Sequence, residues 1–585
     1  MQIAQKWLAQ KANQVVLFWL IGGLLFRGVI AFWLNPGFDE AYYYVYTQNL
    51  DWSYYDHPVL VALVTGFGPW LTGEVSQFTI RLGTLILHTG SLLLLYLTSA
   101  KLFSTKAAQL TLAIASICPI FSVAFGILTL PDSPLMFFWS ASLYCAALEF
   151  FPQPQSQGNR ERRQGGQGGQ EGQEGQGGQG GFSTQHSLPS PPSPDLPISP
   201  PIPYCPSYRL AILGILVGLA CLGKYHGFVL GAGLVGFCLT SPRHRCALVS
   251  PWAGLGLGLF ILTIFPIWFW NMQHDWVSLR FQSERGIPRR SYKLLGVISV
   301  FFVNVGYLFP SIGFPLWWVS LRSVPNAIAQ VFSKKLSTSE ADLSQKQLLL
   351  LWVSLPLTLG FTFMGGYQQI LPTWPMPGFW SLTLLLGERA VNWQKRSHRS
   401  VQRWLQGSGF FIGTVLLIAL LHVTTGTFQK PSQYALLGGF LPPQYDPSTE
   451  LIDIQQLRRG FAESPVLKDA LQNSSFIFTN GYYLGGQISM ALTPLTHTPI
   501  TCFTLDMRGF AFWSRGDQWL GKDALYITIS RFQQKEELTD EFRNYFLHLQ
   551  EIGAVPIQRG GAVTEMIYVY QAKKLLKPYP RIYGI

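Results

Sequence analysis

Apolar and polar stretches alternate along the chain from its start to about residue 425. The apolar runs are about 15 to 25 residues long, which is the length a helix needs to cross roughly 30 Å of hydrocarbon. The pattern therefore predicts an α-helical polytopic membrane protein with about eleven transmembrane helices. The predicted spans are 15–34, 79–98, 107–128, 133–151, 208–222, 226–240, 249–270, 295–320, 347–364, 371–387 and 405–424.

The pattern changes after residue 430, where apolar runs become short and polar residues separate them. Residues 475–479, 524–529 and 564–570 are rich in β-branched and aromatic residues and predict strands. Residues 453–472 and 533–550 have a helical apolar period and predict amphipathic helices. We therefore expect a small C-terminal α/β soluble domain at 429–585.

A low-complexity segment interrupts the membrane helices. It begins as a Gly/Gln tract and becomes rich in Pro and Ser. Such a composition buries too little apolar surface to offset its chain entropy, so we expect a disordered cytoplasmic insertion. The predicted organisation is an N-terminal membrane region (1–150) with a large first outer loop (35–78), the insertion (151–207), further membrane helices (208–428) and the soluble domain (429–585).

The distribution of positive charge predicts the orientation in the membrane. The net charge is +12, yet charged residues make up only 12% of the chain and no compact basic domain carries the excess, which argues against nucleic acid binding. Lys and Arg concentrate on alternate loops, and residues 35–78 contain neither. The positive-inside rule then places the N-terminus in the cytoplasm and the C-terminal domain outside it.

Acidic residues on the predicted outer side are the first candidates for chemistry. Asp39 and Glu40 directly follow the first predicted span, and Asp56 and Asp132 lie in outer loops. Carboxylates at the edge of a membrane are costly unless they face water or a partner. They could also be ordinary loop residues, and Glu40 could simply charge the start of a helix. The aromatic residues behind them could form an interfacial belt.

Several motifs occur in an order typical of one enzyme family. The sequences DEAYY (39–43), YDHP (55–58) and PDSP (131–134) come first, followed by GKY (223–225), WPMP (374–377) and, as a looser match, NGYY (480–483). This set resembles the family 39 membrane glycosyltransferases, the group of dolichyl-phosphate-mannose protein mannosyltransferases and their bacterial relatives. The aminoarabinose transferases of lipid A have a similar plan.

The resemblance implies a GT-C fold, with a catalytic acid in the first outer loop and a polyprenyl-phosphate-linked sugar as donor. It assigns Asp39 as the general base of an inverting displacement, with Glu40 as the second catalytic candidate. No Gly-rich phosphate loop occurs in a βαβ unit, which agrees with a donor that is not a nucleotide sugar. A lipid phosphate leaving group needs positive charge, and the candidates for binding it are Lys224, Arg280, Arg285 and His274.

Five further residues are candidates for substrate binding: Tyr42, Tyr43, Asp56, His57 and Asp132. Asp56, His57 and Asp132 also have the ligand types that a divalent metal accepts, so a metal site is an open alternative, and no other cofactor is predicted. The aminoarabinose transferases carry an acid followed by Lys-Pro-Pro, whereas this chain has DHPV at 56–59. This departure argues against aminoarabinose as the sugar.

Three other functions remain open at this stage. A transporter or flippase would place ionisable residues near the middle of the membrane, and Arg27 and His88 are the few candidates. A lipid-diphosphate-dependent glycan ligase would share the outer acids but use another donor. A receptor would use the C-terminal domain without catalysis. For a transferase, the acceptor is a hydroxyl of a lipid, a glycan or a protein, which the sequence leaves unassigned.

Overall fold

The computed structural model describes residues 11–152, 204–287, 291–332, 338–533 and 541–584. Helices dominate the chain as far as residue 425, and a smaller domain with one sheet follows. The helices of the first part are α1 (Lys11–Leu17), α2 (Gly23–Trp33), α3 (Phe38–Gln48), α4 (Leu60–Thr72), α5 (Leu82–Leu102), α6 (Thr105–Ile117), α7 (Asp132–Phe150), α8 (Arg209–Gly223), α9 (Gly227–Thr240), α10 (Pro251–Thr263), α11 (Phe265–Gln273), α12 (Val277–Glu284), α13 (Leu294–Tyr307), α14 (Pro310–Phe332), α15 (Thr338–Met364), α16 (Met376–Arg396) and α17 (His398–Thr425).

Many of these helices are long and apolar. Within the described residues, four stretches have the length and composition to cross a membrane: Asn13–Trp33, Thr79–Leu102, Ala341–Met364 and His398–Thr425. Two bent pairs, α10 with α11 and α13 with α14, raise the number to as many as six, and three shorter helices are also apolar. A polytopic α-helical membrane protein is thus confirmed as the fold class, while the count of eleven spans stays a prediction.

Hydrogen bonds between polar side chains tie the membrane helices together. Trp139 of α7 donates its indole N–H to Ser381 of α16 at 2.8 Å, and Trp380 of α16 donates back to Ser140 of α7 at 3.0 Å. All four residues are buried. Because no water reaches such a position, each indole N–H needs a partner inside the protein. This reciprocal pair fixes α7, which begins at Asp132, against its neighbours.

The C-terminal domain is built on a five-stranded mixed sheet of order β2-β1-β3-β5-β4. β1 runs parallel to β2 and β3, whereas β5 is antiparallel to both β3 and β4. Its elements are α18 (Ile454–Glu463), α19 (Pro465–Asn473), β1 (Phe476–Thr479), α20 (Tyr482–Leu492), β2 (Ile500–Cys502), α21 (Phe510–Trp513), β3 (Ala524–Ile529), α22 (Ser530–Gln533), β4 (Phe546–Arg559) and β5 (Ala562–Leu575). The three predicted strands are present as β1, β3 and β5.

The helix predicted at 533–550 is wrong. Residues 534–540 lie outside the described residues, and β4 begins at Phe546 and pairs with β5 along most of its length. The turn between the two strands is Gly560-Gly561, with φ values of 56° and 77°. Two adjacent glycines with positive φ are the signature of a tight hairpin turn, and this signal outweighs the local helical period. The helix predicted at 453–472 is divided in two, because Ser464 caps a new helix at Pro465.

The predicted insertion ends earlier than residue 207. Residues 153–203 lie outside the described residues, so its expected disorder stays a prediction. Tyr204, however, is buried and donates its hydroxyl to Glu149 of α7 at 2.7 Å. The backbone N–H of Ser207 donates to the same carboxylate at 2.9 Å. Tyr204 therefore belongs to the packed part of the chain, and the Pro-rich composition around it did not indicate that its ring is buried.

Candidate active site

The site begins at α3, which carries Asp39 and Glu40 in its first turn. Gly37 precedes the helix and donates its backbone N–H to Glu40 Oε2 at 2.9 Å. Successive side chains on an α-helix point about 100° apart. The two acids are adjacent in the chain but face different surroundings.

Glu40 is enclosed in a buried ion pair. Arg81 donates to its two carboxylate oxygens at 2.7 and 2.6 Å, and neither residue has more than 1% of its surface exposed. The backbone N–H of Thr129 donates to Glu40 at 3.0 Å, and Arg81 also donates to the carbonyl of Ala31 at 2.9 Å. The pair therefore joins the end of α2, the start of α3 and the segment before α7. Both carboxylate oxygens of Glu40 therefore have hydrogen-bond partners within the protein.

Asp39 has the opposite environment. Its side chain is exposed, and within the described residues it has neither a hydrogen bond nor an ion pair. The surrounding protein raises the pKa of Asp39 by disfavouring its charged form, and the nearby charges of Asp56 and Glu40 act in the same direction. Arg508 and Lys224 oppose this by lowering it. The carboxylate is thus open to a substrate and has a raised pKa, as a proton acceptor in an active site often does.

Asp56 is completely buried and is held by the C-terminal domain. Arg508 donates to Asp56 Oδ2 at 3.0 Å, and the hydroxyls of Tyr46 and Tyr42 lie against Oδ1. The guanidinium of Arg508 also lies over the ring of Tyr482, 4.2 Å from its centroid. Because 452 positions separate Asp56 and Arg508 in the chain, no local motif predicted the pair. Arg508 is a site residue that the sequence analysis missed, as is Arg81.

Aromatic residues make further contacts between the soluble domain and the first outer loop. The backbone N–H of Gly509 donates to the hydroxyl of Tyr42 at 2.8 Å, and Tyr583 stacks on Tyr55 at a centroid distance of 4.6 Å. Tyr42 has no exposed surface and Tyr43 only 4%. Neither ring presents a face to a sugar in this structure. The geometry gives the two tyrosines a supporting role in place of the substrate contact expected from the sequence.

Asp132 and Lys224 form a second buried pair at the junction of α7 and α8. Lys224 Nζ lies 2.9 Å from both carboxylate oxygens of Asp132. The helices meet here backbone to backbone, because a Cβ on Gly223 would lie 2.6 Å from the backbone nitrogen of Leu135. Glycine at position 223 therefore permits the approach that brings Lys224 to Asp132.

A cavity of about 240 Å³ lies beside this pair. His57, Lys224 and Arg285 line it, and Val229, Phe361, Met364 and Trp374 supply an apolar wall. His57 is neutral at physiological pH, because burial lowers its pKa to about 3 even though Asp56 raises it. The cavity thus combines two cations with an apolar surface contributed by α9 and α15. A phosphate attached to a hydrocarbon chain is complementary to such a cavity, because the anion pairs with the cations and the chain with the apolar wall.

Two of the predicted phosphate ligands lie elsewhere. Arg280 is exposed on α12 and does not line the cavity. His274 stacks on Trp270 at a centroid distance of 4.1 Å, and its ring Nδ1 lies 2.8 Å from the carbonyl oxygen of the same residue. The structure therefore keeps Lys224 and Arg285 as donor-binding candidates and separates Arg280 and His274 from them. Arg280 and Arg285 are five residues apart, and at about 100° per residue their side chains leave α12 in different directions.

The three candidate metal ligands are not gathered into one cluster. Among the described residues, no group of three or more His, Cys, Asp and Glu could hold a metal ion. Asp132 is bound by Lys224 and Asp56 by Arg508, so each carboxylate has a cationic side chain where a metal ion would have to lie. The set Asp56, His57 and Asp132 thus does not fit a metal site in this arrangement.

Comparisons with known proteins concern the family and the fold of the chain. A family model described as dolichyl-phosphate-mannose-protein mannosyltransferase matches residues 56–150, which include Asp56, His57 and Asp132. The lipid A galacturonosyltransferase RgtD of Rhizobium johnstonii is 24% identical over 361 residues. This alignment spans 59% of the present chain and 59% of the length of that relative.

The fold has a match among solved structures. The crystal structure of ArnT from Cupriavidus metallidurans in the apo state superposes with a TM-score of 0.57 at 14% sequence identity. The match covers 96% of this chain and 98% of that one, so it includes the membrane helices and the C-terminal domain together. These findings confirm the resemblance that the motifs indicated: the chain has the GT-C fold and is similar to the family 39 membrane glycosyltransferases and to the aminoarabinose transferases.

Proposed function

We propose that this protein is an inverting glycosyltransferase that moves a sugar from a polyprenyl-phosphate donor to an acceptor hydroxyl at the outer face of the membrane. The acceptor is a lipid, a glycan or a protein. The name of the relative RgtD makes galacturonic acid the first candidate sugar and lipid A the first candidate acceptor. In this proposal the membrane is the bacterial inner membrane, with the N-terminus cytoplasmic and the C-terminal domain periplasmic.

The observation that carries the proposal is the state of Asp39. Four acids occur in the motifs of the outer side, and three of them are neutralised: Glu40 by Arg81, Asp56 by Arg508 and Asp132 by Lys224. Asp39 has no such partner among the described residues and is exposed. Leaving a carboxylate free among paired ones is expected where the group must take a proton during a reaction.

The reaction follows from this arrangement. The oxygen of the acceptor hydroxyl attacks the anomeric carbon, and its proton passes to the Asp39 carboxylate. The bond between the anomeric carbon and the phosphate oxygen breaks, and its electron pair leaves with the lipid phosphate. A single displacement of this kind inverts the anomeric configuration. Glycosidic transfer therefore needs one base here and no covalent enzyme intermediate.

The cavity beside Lys224 suits the leaving group. Charge that develops on the phosphate is stabilised by cations fixed in place before the reaction, and Lys224 and Arg285 provide them. Arg285 is further held by the ring of Phe281, 4.1 Å from its guanidinium carbon. The apolar wall of the same cavity accommodates the first isoprenoid units. Lipid and phosphate thus have separate surfaces within one pocket.

Glu40, Tyr42, Tyr43 and Asp56 hold the loop that presents Asp39. The pair of Glu40 with Arg81 fixes the start of α3, and Asp56 fixes the position of the C-terminal domain. These residues act by positioning and make no contact with the reacting atoms in this proposal. Asp132 has the corresponding role for Lys224.

Sugar transfer by purified protein in detergent tests the proposal. The donors are radiolabelled polyprenyl-phosphate sugars, including galacturonic acid, and the acceptor is a membrane extract that contains lipid A. Wild type is compared with Asp39→Asn and with Glu74→Gln, an exposed acid of the same outer loop. We expect transfer by wild type and Glu74→Gln and its collapse in Asp39→Asn.

Other outcomes would redirect the assignment. Equal transfer by wild type and Asp39→Asn would remove Asp39 from its role as base. Transfer only from lipid-diphosphate sugars would move the protein to the ligase class. Translocation of a lipid-linked sugar without transfer, unaffected by Asp39→Asn, would favour the flippase.

A further inference from the structure

A second cavity lies in the soluble domain, against the first turn of α3. Its volume is about 550 Å³, within the roughly 300 to 1,000 Å³ of ligand pockets. Among the described residues, it has no lining residue in common with the cavity beside Lys224. Phe38 belongs to its wall and directly precedes Asp39 in α3, so the Cα atoms of these two residues are about 3.8 Å apart. The cavity therefore ends at the turn of α3 that carries the proposed base.

A continuous set of contacts leads from Phe38 into this cavity. The ring of Phe38 lies 5.0 Å from that of Tyr483, and Arg531 of α22 donates to the Tyr483 hydroxyl at 2.9 Å. Arg531 also pairs with the carboxylate of Glu450. The backbone carbonyl of Glu450 accepts from the side-chain amide of Gln487 at 2.9 Å. Because all five residues line the cavity, its wall is fixed to the start of α3 by direct contacts.

The charges of the lining favour a molecule with hydroxyl groups over an anion. Glu450 and Glu565 line the cavity together with a single cationic side chain, Arg531. Asp446 also lines it, and its carboxylate is paired with buried Arg559. A phosphate in this cavity would meet repulsion from the acids. The hydroxyls of a saccharide, in contrast, can donate to carboxylate oxygens.

Two other side chains of the lining are suited to a saccharide. The amide oxygen of Gln487 is buried and has no hydrogen-bond partner among the described residues. Buried polar atoms normally have a partner, and a donor on a bound molecule would supply it. The ring of Tyr445 is 72% exposed and offers a flat face on which a sugar ring can pack. The lining thus combines acceptors for hydroxyl groups with an aromatic surface.

The segment that leads from α17 to this cavity exposes apolar side chains. Leu436, Leu437 and Phe440 are 59%, 99% and 72% exposed. The backbone N–H of Leu436 donates to the carbonyl of Thr427 at 2.8 Å, and that of Phe440 to the carbonyl of Phe428 at 3.1 Å. Thr427 comes two residues after the end of α17, a helix long and apolar enough to cross a membrane. The exposed side chains are therefore held at the membrane end of the soluble domain, where apolar groups contact lipid.

We propose that this cavity is the acceptor site of the transferase and binds the saccharide headgroup of a membrane lipid. The acyl chains of that lipid remain in the bilayer beside the segment 436–440. This inference rests on the proposed function, because the hydroxyl that extends past Phe38 is the one that gives its proton to Asp39. The donor occupies the separate cavity beside Lys224. A protein acceptor would have no need of the apolar segment at the membrane surface.

Binding of radiolabelled lipid A to the purified protein in detergent, without any donor, tests the inference. Lipid A is the probe because it carries a saccharide headgroup on acyl chains. Glu450→Gln should weaken binding about tenfold, since it removes a charged hydrogen-bond acceptor. Tyr445→Ala should also weaken binding, and its exposed ring makes the substitution tolerable for folding. Wild-type affinity in both variants would overturn the inference.

The matched control is Glu463→Gln. Glu463 is the last residue of α18 in the same domain, is exposed, and does not line the cavity. The control should bind lipid A as wild type does. A loss in Glu463→Gln equal to that in Glu450→Gln would show that the effect comes from the charge of the domain and not from the cavity, which would contradict the inference.

Competition separates the headgroup from the acyl chains. The disaccharide of N-acetylglucosamine, which has no acyl chain, should displace lipid A from wild type and do so less well from Glu450→Gln. Leu437→Asn should weaken lipid A binding about threefold to tenfold through lost apolar contact, with the inhibition constant of the disaccharide unchanged. Leu437 has a φ of +53°, which asparagine tolerates, so the backbone conformation is kept.

Two results of the competition would refute the lipid acceptor. Displacement of lipid A by a peptide rich in Ser and Thr, but not by the disaccharide, would favour a protein acceptor. Unchanged lipid A affinity in Leu437→Asn would remove the role of the apolar segment.

The transfer assay tells failure of this inference apart from failure of the proposed function. Glu450→Gln and Tyr445→Ala should raise the KM for lipid A and leave the KM for the donor unchanged, whereas Arg285→Met should do the reverse. If wild type binds lipid A through Glu450 and Tyr445 but transfers no sugar, the proposed function fails and the binding site stands. If transfer occurs and both variants keep the wild-type KM for lipid A, only the acceptor site fails.

Discussion

Asp39 and Glu40 are neighbours in α3, yet their carboxylates lie in opposite environments. Glu40 accepts hydrogen bonds from Arg81, Thr129 and Gly37 and is almost fully buried. Asp39 is exposed and has no partner among the described residues. Both acids are part of the same motif, so the motif alone does not show which of them is reactive. The tertiary structure separates them.

The difference shows that paired and unpaired charges have different roles in a site: one holds the structure and the other is available for chemistry. A buried ion pair contributes little net stability compared with apolar packing, but removing one partner is strongly destabilising. Glu40 and Arg81 are therefore needed together to hold the loop in place. An exposed, unpaired carboxylate stabilises nothing and is free to react. On this basis, substitution of Glu40 should affect folding and substitution of Asp39 should affect turnover.

The largest expected effect is on turnover. Asp39→Asn should lower kcat by about 10³-fold, since a general base contributes roughly 10² to 10⁴. The folded state should be unaffected, because the side chain has no partner to lose. Steady-state transfer assays and thermal unfolding in detergent measure the two quantities. An unchanged kcat would show that Asp39 is not the reactive acid and that its difference from Glu40 is not one of catalytic role.

Glu40→Gln should show the reverse pattern. Arg81 would lose its counter-charge in a buried position, which costs about 3 to 5 kcal/mol. We expect a lower unfolding temperature in detergent and poor yield, while the double variant Glu40→Gln/Arg81→Met recovers part of the loss. If Glu40→Gln is as stable as wild type but inactive, Glu40 takes part in the chemistry and the division between the two acids is wrong.

The same distinction between engaged and exposed residues applies to two arginines near α12. Arg285 lines the cavity and Arg280 is exposed outside it. Arg285→Met should raise the KM for the polyprenyl-phosphate donor by about tenfold to a hundredfold, as expected for a lost hydrogen bond to a charged group. Arg280→Met is the matched control and should stay within about twofold of wild type. Equal effects would show that both arginines bind the donor.

Substitution of His57 should have the smallest effect on transfer, and it gives a direct test of the pH dependence. Burial lowers its pKa to about 3, so it is already neutral above that pH and does not gain or lose charge between pH 5 and 8. His57→Gln should therefore leave the shape of the pH profile unchanged in this range. A limb near pH 6.5 that disappears in His57→Gln would show that His57 titrates in the working enzyme.

Much of the fold could be predicted from the sequence because its signals are local. Runs of apolar residues predict membrane helices wherever they occur, and the strands β1, β3 and β5 have compositions that few helices share. The hairpin of β4 and β5 was missed although Gly560-Gly561 is a local turn signal. The helical period at 533–550 indicates a helix where the structure has the start of β4.

The partners of the acids could not be predicted in the same way. Arg81 is 41 positions from Glu40, and Arg508 is 452 positions from Asp56. Nothing in the residues around either arginine distinguishes it from other basic residues in the chain. Two predicted phosphate ligands, Arg280 and His274, lie outside the lining of the cavity for the same reason, since their orientation depends on packing around α11 and α12.

The sequence by itself determined that this protein crosses a membrane, that a soluble α/β domain follows, and that acids of a recognisable motif lie after the first span. These properties follow from hydrophobic period and motif order, which are encoded within short windows. Only the tertiary structure decided which acid is unpaired among the described residues, which cations line the cavity beside Lys224, and that Arg508 of the C-terminal domain pairs with Asp56. Compensation of a buried charge is a contact between distant segments, and folding alone brings those segments together.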